Sequence, residues 1–101
     1  MIYRQGDVML IAIEVAPKGK QVKRDKGRLI LAYGEVTFHA HAIINPAIKM
    51  IEKADIRYIV ADREFEVLHE EHAKHVIPAG IYEIRHQREY VEPEVERRVI
   101  D

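Results

Sequence analysis

Five of the six histidines fall in two groups, His39-Ala40-His41 and His69-Glu70-Glu71-His72-Ala73-Lys74-His75. Imidazole changes charge near neutral pH, so it serves both as metal ligand and as acid or base. Alternate residues of a strand point to one face, with Cα atoms about 6–7 Å apart. Two imidazoles so placed can lean together until each nitrogen stands about 2.0–2.1 Å from a shared zinc ion. The stretch Gly34-Glu35-Val36-Thr37-Phe38-His39-Ala40-His41-Ala42 reads as such a strand. Glu35, Thr37, His39 and His41 would line a polar face, with Val36, Phe38, Ala40 and Ala42 on the other. His39 and His41 are the expected first ligands. His69, His72 and Glu71 are the next, at a corner where a strand leaves its sheet, and Glu35 and Thr37 would orient the ligands by hydrogen bonding.

The composition narrows this chemistry. There is no cysteine, which excludes disulfides, thiolate metal sites and cysteine nucleophiles. A centre built from imidazole and carboxylate selects Zn, Fe, Ni or Mn over Ca or Mg. An open position on such an ion would make the protein a metal-dependent hydrolase or an oxygenase-like enzyme. His69-Glu70-Glu71-His72 is not the zinc-protease motif, which needs two residues between Glu and the second His, and a helix. No glycine-rich phosphate loop is present, so no nucleotide cofactor is indicated. His75, at the start of a strand, and His86, on the face of Tyr82 and Ile84, read as structural.

Two other readings stand beside the metal site. Residues 17–28 form a long loop carrying Lys18, Lys20, Lys23, Arg24, Lys26 and Arg28. Closely spaced cations bind polyanions by releasing counterions, so this loop could make the chain a non-catalytic module for nucleic acid or an acidic partner. Paired histidines could also cleave a phosphodiester as metal-free acid and base. All three readings are open at this point, as are enzyme status, substrate and oligomeric state, a homo-oligomer included. The net charge of −1 supplies no global field for nucleic acid or membrane. No apolar run approaches membrane-spanning length and the N-terminus lacks a signal-peptide pattern, so a soluble cytoplasmic protein is expected.

The positioning elements follow from the pattern. A length of 101 residues fits one domain, 1–101. Short apolar runs at 8–13, 29–33, 48–52, 56–60, 64–69 and 81–90, with the histidine strand, alternate with Gly, Pro, Asn and Asp turns. In the last run Tyr82, Ile84, His86, Arg88 and Tyr90 share a face. After Pro93 the period changes, and Val95 and Val99 predict a helical turn. The expected fold is all-β: a small antiparallel barrel or sandwich of six to eight short strands with a short C-terminal helical turn.

Tyr3-Arg4-Gln5-Gly6-Asp7-Val8, Gly34-Glu35-Val36-Thr37-Phe38-His39-Ala40-His41, His69-Glu70-Glu71-His72 and Gln87-Arg88-Glu89-Tyr90 together resemble a family of small uncharacterised bacterial and phage proteins. That resemblance implies that these segments belong together and brings no activity with it. His39-Ala40-His41 and the turn Pro78-Ala79-Gly80 are similar to pieces of the cupin metal site, which implies a metal held in a β-barrel. The chain departs from that pattern at Ile44 and Asn45, where a glutamate is expected, and at His86, which comes too late after the turn. The opening strand, long loop and residues 29–36 are also similar to the co-chaperonin barrel, in which histidines have no role.

Overall fold

The computed structural model describes residues 1–33, 39–70 and 72–86. Ten strands run through them: β1 (Ile2–Gln5), β2 (Val8–Ile13), β3 (Lys20–Gln21), β4 (Leu29–Tyr33), β5 (Ala40–Ile43), β6 (Lys49–Lys53), β7 (Ile56–Ala61), β8 (Phe65–Val67), β9 (His75–Ile77) and β10 (Gly80–His86). The all-β expectation holds, and every strand pair is antiparallel. Ten strands replace the expected six to eight because β1 and β3 lack any apolar run. They are held instead by pairing, Gln5 opposite Val8 and Lys20 opposite Glu52. The C-terminal helical turn, expected after Pro93, lies outside the described residues. Among those residues no helix is long and apolar enough to cross a membrane.

The largest sheet has the order β1-β2-β10-β7-β6-β3; β4–β5 and β8–β9 are separate hairpins. No closed barrel forms among the described residues. Alternation decides which side chains meet. Val8 and Leu10 of β2, Tyr82 and Ile84 of β10, Ile59 of β7 and Met50 of β6 turn to one face of the large sheet. Leu29, Leu31 and Ile43 of the first hairpin and Phe65, Val67 and Ile77 of the second close over that face in one buried cluster. Burial of a side chain of this size is worth about 1.5–3 kcal/mol, so this cluster is the main cohesive force between sheet and hairpins.

Two tight turns carry φ > 0 at both central residues, the geometry that matches strand twist. Ala54 and Asp55 join β6 to β7, and Lys26 and Gly27 close a small ladder in which Asp25 and Arg28 exchange backbone hydrogen bonds. The loop at 17–28, read from sequence as irregular, is thus partly ordered. On β4 the pairing slips between Ile30 and Ala32 against the adjacent Ala42 and His41 of β5, so Leu31 is a bulge. The freed carbonyls of Ile30 and Leu31 accept hydrogen bonds from the Arg57 guanidinium at 2.9 and 2.6 Å. The bulge faces the strand that carries His41, a common place for such a device.

Candidate metal centre

Four positions bring the histidines together. β5 supplies His41. Ala42 exchanges two backbone hydrogen bonds with Leu68, both 2.9 Å, which lays the corner after β8 along β5. Glu70 secures the same contact further on, its carboxylate accepting from the Ala40 N–H at 3.0 Å. That bond holds the Glu70 carboxyl below its usual range. The third support is the β1–β2 turn, where Gly6 has φ +62°. A Cβ there would stand 3.0 Å from His72 Nε2 and 3.2 Å from His41 Cε1. Glycine adopts this φ without strain and leaves the rings their present positions.

One nitrogen each of His41, His69 and His72 lies within 4.8 Å of the others. Nitrogens bound tetrahedrally at zinc distances stand about 3.4 Å apart, so the three would have to draw closer to share one ion. The ring centroids are 4.3 Å apart for His41–His69, 4.6 Å for His69–His72 and 5.7 Å for His41–His72. His41 is buried, His69 half-buried and His72 exposed, so the cluster runs from the core to solvent.

His41 is only 4 % exposed. This corrects the expected polar face. Ile43 stands on the same side of β5 as His41 and belongs to the main core, whereas Ala40 and Ala42 pack with Ile30 in a smaller cluster. Burial, then the charges that His69 and His72 can carry, push the His41 pKa down to about 4, opposed by Asp7. His41 is therefore neutral at physiological pH, the form that binds metal.

The only buried polar side chains among the described residues are His41 and Gln5. They are partners: Gln5 Oε1 lies 2.8 Å from His41 Nδ1. The Gln5 amide donates to the carbonyls of Val67 and Ala73, both at 2.9 Å.

Other expected residues divide as follows. His39 precedes β5 and stands edge-on to His69, with ring centroids 5.9 Å apart, outside the set of three. Glu35, Thr37 and Glu71 lie outside the described residues. His75 begins β9, and His86 pairs with Val8 at the end of β10. In the basic loop Lys18, Lys20, Lys23 and Lys26 are exposed and Arg28 is half-buried. Arg24 turns inward. Its guanidinium donates to the carbonyls of Gly27, Asn45 and Ile48 at 2.6–2.9 Å, with Ile43 and Ile44 at 3.5 and 3.3 Å. It is a strut for the turn after β5, with both terminal nitrogens already donating to backbone carbonyls.

A family model described as a domain of unknown function, DUF8820, matches residues 4–87. The chain belongs to the DUF8820 family. The span shared with that family's model runs from β1 past the end of β10 and includes Gln5, Gly6 and the three clustered histidines. No curated protein and no solved structure matches the chain.

Sequence reasoning missed Gln5 and Gly6. The family resemblance grouped residues 3–8 with the histidine segments, but no local pattern at Gln5 or Gly6 gave either residue a role. A clue to the burial of His41 was available: Ile43, two positions on, is incompatible with a solvent-facing side of that strand.

Proposed function

We propose that this protein binds a divalent transition metal, zinc by preference, on His41, His69 and His72. The observation that carries the reading is the convergence of three imidazole nitrogens, one of them on a buried, neutral ring. Imidazole ligands suit zinc, and three protein ligands would leave a fourth position for water or substrate. His72, the exposed member, brings the set to the protein surface. Zinc held in this way lowers the pKa of its bound water to about 7, so the reaction class the site favours is metal-assisted hydrolysis. The chain's own part is to hold three imidazole nitrogens together between the core and the surface. The phosphate-binding reading of the loop loses Arg24 to the fold.

Elemental analysis of untagged protein, followed by titration of metal-free protein with Zn²⁺, Co²⁺ and Ni²⁺, tests this. The expected result is one ion per chain, with affinity falling at least tenfold for His69→Ala and His72→Ala. Stoichiometric binding that survives both substitutions, or no binding by the wild type, would overturn it.

A further inference from the structure

We infer that Gln5 is the positioning residue of the histidine centre, setting the proton on His41 and closing the segment that carries His69 and His72. The inference rests on the metal-centre reading for its functional meaning, but its geometry stands apart from any ion.

The orientation of the Gln5 amide is decided by its surroundings. Val67 and Ala73 both present carbonyl oxygens, which only accept, so the nitrogen of Gln5 must face them and the oxygen must face His41. An oxygen 2.8 Å from a ring nitrogen needs a proton between them. Gln5 has none to give there, so His41 Nδ1 carries it. A neutral imidazole has one N–H, which leaves Nε2 bare with its lone pair available. Metal-binding histidines are usually oriented by such a bond on the other nitrogen.

The two donor bonds do something different. Val67 and Ala73 stand immediately before and after residues 68–72, the segment that bears His69 and His72. By holding both ends, Gln5 fixes the base of that segment on β1. One buried side chain thus ties all three ligands to a single point. Its partners lie 36, 62 and 68 positions away in sequence. Losing Gln5 would leave two carbonyls and a ring N–H without their partner.

The test uses full-length, metal-free protein labelled with ¹⁵N. Long-range ¹H–¹⁵N spectra should show His41 protonated on Nδ1, with a slowly exchanging proton, and Zn²⁺ should then shift the Nε2 resonance. Gln5→Met keeps the length and removes every polar contact. It should release the His41 tautomer and weaken zinc binding about ten- to a hundredfold. Gln5→Glu keeps an acceptor for Nδ1 and loses the donors. It should preserve the tautomer while amide exchange in residues 68–74 accelerates. An Nε2–H tautomer in the wild type overturns the inference, and that measurement needs no variant to fold. A folded Gln5→Met protein with unchanged tautomer and affinity also overturns it. A wild-type protein that shows the Nδ1–H tautomer but takes up no zinc overturns the metal-centre reading alone.

Discussion

His41 shows how a single buried ring couples the site to stability. Its folded pKa of about 4 lies below the ordinary 6.5, so between those values the unfolded chain binds more protons than the folded one. Stability therefore rises with pH across that window and is lost as pH falls through it. Denaturant unfolding of metal-free protein at the two ends of the window should show a lower midpoint at the acid end. The difference should shrink in His41→Gln. Arg24 offers a second test at this scale. It satisfies carbonyls of the 43–48 turn, so Arg24→Ala should cost about 2–3 kcal/mol, and Arg24→Lys should recover little because a point charge cannot fork across several acceptors. Equilibrium unfolding of the two variants measures both. The role of Arg24 was hidden in the sequence, where it stood as one cation among six in a loop. The histidines were legible as two groups because the spacing within each is local, whereas the meeting of His41 with His69 and His72 depends on a long-range contact. Gln5 was not, because its partners are distant and glutamine carries no signature of its own.

Among the elements, the turns make the sharpest claims. Gly6 has a left-handed φ, and a Cβ there would press on His72 and His41. Gly6→Ala should destabilise the protein by about 1–2 kcal/mol and weaken zinc binding, read by thermal unfolding and by metal titration. Ala54 is the opposite case. It holds φ 52° in an exposed two-residue turn where glycine or asparagine is at ease. Ala54→Gly should raise stability by about 0.5–1 kcal/mol without touching metal affinity. The strands at 8–13, 29–33 and 56–61 were readable because apolar runs bounded by turn residues leave few alternatives. The short β1 and β3 were not. Their order comes from neighbours in the sheet, and four or two residues of mixed polarity announce nothing by themselves. The bulge at Leu31 escaped for the same reason, since it exists only relative to the partner strand.

At the scale of the whole molecule, the clustered histidines sit on β5 and on the corner after β8, joined to the large sheet through β1. An ion on His41, His69 and His72 would bind only the folded chain. Zinc at a hundredfold excess over its Kd should then stabilise the protein by about 2.7 kcal/mol, and a chelator should reverse the gain. Calorimetry with and without zinc checks this. The bond from Gln5 to Ala73 also has a consequence in time. Growing at about 5–20 residues per second, a chain waits about 3–14 seconds between making Gln5 and making the carbonyl that Gln5 must find. During that interval the segment carrying His69 and His72 is not yet tied to β1. If the three histidines hold an ion as proposed, it could enter only once residue 73 has been made, and the free metal present at that moment would decide which ion it is.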